Sequence, residues 1–250
     1  MISRPAPGLL FLVLVGTLLL QAPREAPAEA ATSFRPALVG NGPKSLVNLI
    51  DTQKLLAKGQ GDGVVMFDAS IEDDPAGSVR WIWCHAAPGS EVLKEEITKK
   101  LRQAVFVPAL VDGKPVEVYF HGTAIFAVRG GRPYLRVFAN QNPNALAQES
   151  DLIEPQMRHG SSDWAKAKPL LEVVRKHARV GHATVSITVD SAGKMRDLRV
   201  VREEPAKLNI GAAALIYYAP AKFIPAFRDG KPVDCTFERD WAVRGFRYRR

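Results

Sequence analysis

The sequence predicts an α+β protein in which a signal peptide precedes two tandem β-β-α-β units, each a small antiparallel sheet with one packed helix. Three observations support this fold class. A short apolar run lies near the amino terminus, the stretch FVPALVDGKPV at 106–116 returns as FIPAFRDGKPV at 223–233, and an alternating strand pattern follows both copies. The 250 residues are 46% hydrophobic and 24% charged, a globular composition that excludes disorder of the whole chain.

The first 31 residues are predicted to be a signal peptide. Arg4 precedes the apolar run GLLFLVLVGTLLL, and small residues spaced for a signal peptidase follow it as far as Ala31. The run has 13 residues, whereas a membrane-spanning helix needs about 20. We therefore expect cleavage after Ala30 or Ala31, export to the periplasm, and no membrane span after cleavage. An uncleaved N-terminal anchor in the inner membrane, facing the periplasm, is the alternative.

A helix and then a β-hairpin are predicted at the start of each unit. Apolar residues at helical spacing begin near Gly42 and again near Ser161. Period-two alternation follows, with turns at 74–77 in the first unit and 190–193 in the second, and this pattern indicates paired strands with one solvated face.

A second helix is predicted between each hairpin and the repeated motif. In the first unit Ile97 and Leu101 have helical spacing, with Ser90 at the N-cap position, and the second unit has NIGAAALIYYAPAKF in the same place. We expect a proline to end each helix, because it cannot continue the helical hydrogen bonds, and Asp-Gly to reverse the chain. The structural turn residues are Pro108, Asp112, Gly113, Pro115, Pro225, Asp229, Gly230 and Pro232.

The strand behind each motif completes its unit, and equivalent residues of the two copies stand 117 positions apart (223 − 106 = 117). Apolar residues alternate over 116–126 and 233–243, and VRGGRP at 128–133 is expected to be a hairpin turn. The expected segments are a signal peptide at 1–31, an N-terminal stub and helix at 32–61, the first unit at 62–140, a linker and helix at 141–180, and the second unit at 181–250.

The second unit resembles the TonB C-terminal domain family. The resemblance extends over 181–243, and it is weaker over 64–128, where the helix is more polar. The residues that carry it are Val189, Asp190, Gly193, Val200, Val201, Ala213, Ala214, Phe223, Pro225, Ala226 and 230–233. It implies two tandem copies of that domain, and binding rather than catalysis.

Members of this family contact outer-membrane receptors by adding their last strand to a short peptide, so backbone groups on an open edge provide affinity. In this chain the resemblance places the contact on 233–241, with Val233, Asp234, Thr236 and Glu238 as candidate partner-binding residues, and a further contact on 116–126. We expect an envelope module that binds a receptor or other envelope protein, linked to TonB-type transport. The leader is short, which argues against force transmission through a tether. A structural, peptidoglycan-associated protein is the alternative.

Two tryptophans and two cysteines are further candidates. Trp81 and Trp83 are out of phase with Ile82 and Cys84, so both are expected on the outer face of a strand. There they could bind a partner or a glycan, or pack against another part of the chain. Cys84 and Cys235 occupy inward positions of separate units, which predicts two buried free thiols.

No motif indicates catalysis, a metal or a cofactor. The five histidines form neither H-E-x-x-H nor a Cys/His cluster, and the sequence lacks a G-x-S-x-G elbow and a Walker loop. Charges in the leader cancel, so the mature chain keeps the formal net charge of +8. Its one basic block is the tail RGFRYRR at 244–250, where a solvated chain end is favoured over a nucleic-acid groove. We expect no enzyme activity, no cofactor and no nucleic-acid partner.

Overall fold

The computed structural model describes residues 32–177 and 180–244, which pack as one unit. The predicted signal peptide and residues 245–250 of the basic tail lie outside the described residues. The helices are α1 (Leu46–Leu49), α2 (Thr52–Ala57), α3 (Glu91–Leu101), α4 (Pro143–Ala147), α5 (Trp164–His177) and α6 (Ile210–Tyr218). The strands are β1 (Phe34–Arg35), β2 (Gly63–Ile71), β3 (Val79–Ala86), β4 (Ala109–Val111), β5 (Lys114–Val116), β6 (Val118–Arg129), β7 (Arg132–Phe138), β8 (Gln156–Met157), β9 (Val180–Val189), β10 (Met195–Glu204), β11 (Phe223–Ile224), β12 (Ala226–Arg228), β13 (Lys231–Val233) and β14 (Cys235–Arg244).

The first sheet has four antiparallel strands in the order β3-β2-β6-β7, and α3 packs on one face of it. The alternation of β2 explains the packing, because Val65, Phe67 and Ala69 are fully buried with Leu93 and Ile97 of α3. A period of two on the strand and a period of 3.6 on the helix bring these apolar side chains together in one core.

The second sheet has three antiparallel strands in the order β10-β9-β14. Val185, Ile187 and Val189 of β9 are fully buried and share a core with Ala214 of α6. Helix α5 packs against α6 and also contacts β14. The α+β class with small antiparallel sheets is therefore confirmed.

The two sheets share one topology. β2, β3, α3 and β6 of the first correspond to β9, β10, α6 and β14 of the second, and in both sheets the first strand lies between the other two. The offset of 117 residues relates β4, β5 and β6 to β12, β13 and β14. β7 has no counterpart in the described residues. It follows β6 through Gly130 and Gly131, both with positive φ, as the hairpin prediction requires.

The repeated motif forms a hairpin of its own in each copy, β4–β5 and β12–β13. Asp112 and Gly113 have φ of 50° and 74°, and Asp229 and Gly230 have φ of 50° and 70°. Two successive residues with positive φ are typical of the type I′ turn, whose twist matches that of the strands it joins.

The expectation that prolines end the two helices is wrong. α3 ends at Leu101 and α6 at Tyr218, well before Pro108 and Pro225. The intervening residues are extended because other strands pair with them: Val107 bridges Leu38, and β11 pairs with β8. An extended residue before a proline is also the conformation that the proline ring favours.

Two further local expectations need correction. The helix expected near Gly42 is two short helices, α1 and α2, and the Asp51 side chain caps α2 by accepting a hydrogen bond from the Lys54 amide at 3.0 Å. Ser90 stands at the N-cap position of α3, but its hydroxyl makes no capping bond. It accepts a hydrogen bond from the Val64 amide at 3.0 Å and so ties the helix start to β2.

Candidate functional site

β14 is an edge strand with one open side. It pairs with β9 through ten consecutive residue pairs, from Cys235↔Val189 to Arg244↔Val180, without a register shift. Within 32–177 and 180–244, no backbone–backbone hydrogen bond joins its other side. A long, regular and unpaired edge presents a row of N–H and C=O groups that can accept another strand.

The equivalent strand of the first sheet has a partly covered edge. β6 pairs with β2 from Val118 to Phe126, and β7 covers its other side from Thr123 to Arg129. The further strand-addition contact expected on 116–126 is therefore wrong for 123–126, where β7 occupies the edge, and stays a prediction for the residues before Thr123.

The opposite edge of the second sheet is less suited to strand addition. The pairing of β10 with β9 has register shifts between Met195 and Asp197 and between Val200 and Arg202. Arg196, Arg199 and Arg202 are exposed along this strand. Bulges and charged side chains are features that keep an edge strand from pairing with another chain.

Two adjoining cavities follow β14 along its length. Their volumes are about 660 and 720 Å³, and every residue from 236 to 243 lines at least one of them. The opposite wall is the outer face of the first sheet, the face turned away from α3, together with the linker around Gln141 and Glu154. Space for a ligand therefore lies beside the open strand.

The first cavity is lined largely by aromatic rings, and we call it the aromatic cleft. Its aromatic residues include Trp81, Tyr119, Trp164, Tyr217, Tyr218 and Trp241. Tyr217 and Trp241 are in edge-to-face contact with ring centroids 4.9 Å apart, and Trp241 Nε1 donates a hydrogen bond to the Tyr218 hydroxyl at 3.3 Å. Burial raises the pKa of Tyr218 to about 12. For Tyr119, burial and then the neighbouring Tyr217 raise the pKa to about 12 as well. Both phenols are therefore uncharged at neutral pH.

The second cavity is lined by four carboxylates, and we call it the acidic groove. These are Asp68, Glu154, Glu238 and Asp240. Asp68 accepts hydrogen bonds from Gln141 at 3.0 Å and lies 2.6 Å from Nδ1 of His121. Burial raises the pKa of Asp68. The charge and hydrogen bond of His121, the charge of Arg239 and the hydrogen bond of Gln141 lower it by more, so the pKa of Asp68 is below its ordinary value. Asp68 is ionised at neutral pH.

Arg239 connects the two cavities and lines both. It is 9% exposed and forms an ion pair at 2.8 Å with Glu154, which is 3% exposed. It also stacks on the Phe237 ring at 4.5 Å and donates a hydrogen bond to the Glu238 carbonyl at 2.8 Å. Its buried Nε atom has no hydrogen-bond partner among the described residues. A buried donor of this kind usually has an acceptor, because leaving it unpaired costs about 1–3 kcal/mol.

The comparison with protein families is decisive for this region. Residues 172–242, from α5 to β14, match the family model of the Gram-negative bacterial TonB protein C-terminal. This segment belongs to the TonB C-terminal family. We call it the TonB C-terminal domain, and the prediction from the sequence is confirmed for it. The family model does not match the first sheet, and no curated protein and no solved structure matches the chain.

The TonB C-terminal domain defines a coarse function. The family consists of protein-interaction domains of TonB-type, envelope-associated transport proteins, and its members contact outer-membrane receptors or other envelope proteins. Among the helices in the described part of the chain, none is long and apolar enough to cross a membrane.

The residues predicted for partner binding lie at or beside the open strand of the TonB C-terminal domain. Val233 ends β13 and is half-buried, and Asp234 accepts a hydrogen bond from the Ser191 amide at 2.7 Å. Thr236 is exposed and bonded to Thr188 at 2.9 Å, and Glu238 is exposed in the acidic groove. The eight turn residues belong to the loops and hairpins of the two motifs and line neither cavity.

The two tryptophans on β3 have different surroundings. Trp81 is 46% exposed and Trp83 49% exposed, both on the outer face of the first sheet. Trp81 lines the aromatic cleft, across from the TonB C-terminal domain, whereas Trp83 lies outside both cavities and contacts His85. They therefore form a matched pair for mutagenesis.

Sequence reasoning missed the charged centre of the site. Arg239 interrupts the inward apolar series between Phe237 and Trp241, and that interruption was the available signal. Asp68 and His121 stand on outward positions of strands in the other unit, where a polar residue is ordinary. Their closeness to β14 follows from the packing of the two sheets, which the strand pattern does not specify.

The cysteines take no part in this site. Cys84 and Cys235 are free thiols, but both are partly exposed, so the expectation of full burial is wrong. Burial raises the pKa of Cys84, and it raises the pKa of Cys235 to about 11. Both stay protonated and weakly nucleophilic at neutral pH. The described residues contain no cluster of three or more metal-ligating side chains.

Proposed function

We propose that this chain is an exported, non-enzymatic binding module of the periplasm, whose TonB C-terminal domain binds an extended segment of an envelope protein by strand addition to β14. One observation carries the proposal. Among the described residues, β14 has an unpaired edge of ten residues without a bulge, and open space follows that edge, whereas β7 covers the equivalent edge of β6 from Thr123 to Arg129. Strand addition uses such an edge for affinity and the neighbouring cavities for specificity.

The proposal assigns different roles to the two units. The first unit, at 62–140, is a second copy of the domain, and its own β7 occupies its edge at Thr123–Arg129. The common strand order and the offset of 117 residues support this assignment. The first unit then forms one wall of the site, and the second unit, from 181 onward, offers the free edge. Its role is binding rather than force transmission.

Amide hydrogen exchange with detergent-solubilised outer membranes tests the proposal. We expect exchange in 235–244 to slow when the membrane extract is added, because backbone amides on the open edge gain partners. Segment 123–129 is the internal control, since β7 already covers the equivalent edge of β6 there and its exchange should not change. Unchanged exchange in 235–244 at saturating extract would contradict strand addition.

The exposed Trp81 and Trp83 favour one second candidate, a peptidoglycan-binding protein. Sugars stack on exposed aromatic rings, and these two lie on one face of one strand. Purified peptidoglycan sacculi in place of the membrane extract separate the two functions. Binding to sacculi with quenching of tryptophan fluorescence and no slowing in 235–244 would favour this candidate over strand addition.

A further inference from the structure

In the first sheet, β7 occupies the edge position that an added strand would take on β14. β7 pairs with β6 from Thr123↔Phe138 to Arg129↔Arg132. Leu135 and Val137 of β7 point inward and pack against the hydrophobic core. Arg132, Tyr134 and Arg136 alternate with them and are exposed on the other face. The strand that covers this edge therefore has an apolar face and a basic face.

The open edge of β14 offers complementary surroundings for such a strand. On its inward side β14 presents Phe237, Trp241 and Val243, next to the aromatic cleft, with the buried Arg239 between the first two and paired with Glu154. On its outward side it presents Glu238 and Asp240, which line the acidic groove. In a sheet, side chains directly opposite or diagonal across two strands are close enough to interact. An added strand would thus meet aromatic rings on one face and carboxylates on the other.

The register of β7 makes the correspondence specific. Leu135 pairs with Phe126, and Val137 pairs with Ala124. With the offset of 117 residues, the equivalent residues of β14 are Val243 and Trp241, and both lie on its inward side. Asp240 is the residue of β14 equivalent to Thr123 of β6. Arg136 pairs with Ile125 and is therefore diagonal to Thr123. A basic residue at the same position of an added strand would be a diagonal neighbour of the Asp240 carboxylate.

The charge of the groove differs from that of the chain. The formal net charge of the protein is +8, yet the acidic groove has four carboxylates against Arg239 and the imidazoles of His85 and His121. Arg239 is already paired with the Glu154 carboxylate, which leaves Asp68, Glu238 and Asp240 as the other carboxylates of the groove, and Asp68 is paired with the His121 imidazole.

We propose that the partner segment bound by β14 alternates apolar and basic residues, as β7 does, with its apolar side chains toward the aromatic cleft and its basic side chains toward the acidic groove. This inference rests on the proposed strand addition and specifies the chemistry of the partner. The partner is an extended protein segment of roughly eight residues, the length of strand that lines the cavities.

Three synthetic peptides, each acetylated and amidated, test the inference against the full chain. The first is GRPYLRVFA, the sequence of residues 131–139. The second, GEPYLEVFA, reverses the charges, and the third, GRPYSRSFA, removes the apolar face. We expect the first peptide to bind at least about tenfold more tightly than either of the others, because like charges facing each other and lost aromatic contacts both weaken an interface. Calorimetry measures affinity, and hydrogen exchange of 235–244 locates the contact.

Matched variants test each wall of the site. Trp81→Ala should weaken binding of the first peptide about tenfold, and Trp83→Ala should leave it within about twofold, because only Trp81 lines the cleft. The double variant Glu238→Gln/Asp240→Asn should reduce the preference for the first peptide over the second to about twofold. Asp197→Asn on β10 serves as the control for loss of a carboxylate elsewhere on the sheet.

The outcomes separate this inference from the proposed function. Equal binding of all three peptides with slowed exchange in 235–244 would overturn the inference and leave strand addition standing. Absence of binding by all three, while the outer-membrane extract still slows exchange in 235–244, would overturn it in the same way. If neither the peptides nor the extract affects β14, both proposals fail.

Discussion

Replacing Glu154 by leucine should lower the free energy of unfolding by about 3–5 kcal/mol, the usual cost of leaving a buried charge without its partner. Glu154 is 3% exposed, and its carboxylate lies 2.8 Å from the guanidinium of Arg239, which is 9% exposed. The pair joins the linker to β14. Urea unfolding of the purified variant measures the change.

A double-mutant cycle separates the lost pair from a simple packing defect. The variant Glu154→Leu/Arg239→Met should recover most of the stability, because apolar side chains of similar volume often replace a buried ion pair at little cost. Arg239→Met alone should be destabilising, since it leaves the Glu154 carboxylate buried and unpaired. Strict additivity of the two single changes would contradict this explanation.

Replacing Gly122 by alanine should destabilise the first sheet by about 1–3 kcal/mol, the range for overpacking in a core. A Cβ at this position would lie 2.3 Å from Cζ of Phe67. Phe67 cannot move away freely, because it is fully buried and its ring stacks on Phe120 with centroids 6.0 Å apart. Thermal unfolding compares the variant with the parent.

Gly61→Ala is the matched control for this change. No atom lies within 4 Å of a Cβ built at Gly61, and its φ is not in the left-handed region. It should therefore leave the free energy of unfolding within about 0.5 kcal/mol of the parent value. A loss at Gly61 equal to that at Gly122 would show that steric contact with Phe67 is not the cause.

Gly122 and Arg239 occupy the same position of the two units, 117 residues apart. In the first unit a glycine admits the Phe67 ring beneath the strand, and in the second an arginine projects into the cavities beside it. The same backbone position thus contributes to core packing in the first unit and to the lining of the cavities in the second. This difference agrees with binding at the edge of β14.

The strands and main helices could be predicted because their apolar periods are local. Val65, Phe67, Ala69 and Ile71 recur at every second residue, as do Val185, Ile187 and Val189, and burial of this face follows from that pattern. The Asp-Gly turns were equally predictable, since aspartate and glycine tolerate positive φ better than most residues.

The open edge could not be predicted, since it depends on which strands pair. VRGGRP indicated a hairpin turn, but only the structure shows that β7 then covers β6, while nothing described covers β14. The same limit applies to the prolines, because the chain between α3 and Pro108 is extended by pairing with Leu38, a distant residue. Contacts between the sheets, such as Arg239 with Glu154, have no local signal.

Grafting β7 onto the second unit tests whether partners bind at the open edge of β14. In the grafted chain, residues 247–250 are replaced by the segment GGRPYLRVF, which is the sequence of residues 130–138. Residue 130 then stands at position 247, so the graft keeps the offset of 117 residues between the two units. The control carries a Gly-Ser tail of the same length. The measurement is hydrogen exchange of 235–244 with and without detergent-solubilised outer membranes.

We expect the grafted strand to cover the edge of β14 from Asp240 onward, the positions equivalent to Thr123–Arg129 of β6. Exchange in 240–244 should be slow in the grafted chain before any extract is added and should not slow further, whereas the Gly-Ser control should respond like the parent. If the grafted chain still showed slowing in 240–244 on addition of the extract, to the same extent as the control, strand addition at this edge would be contradicted.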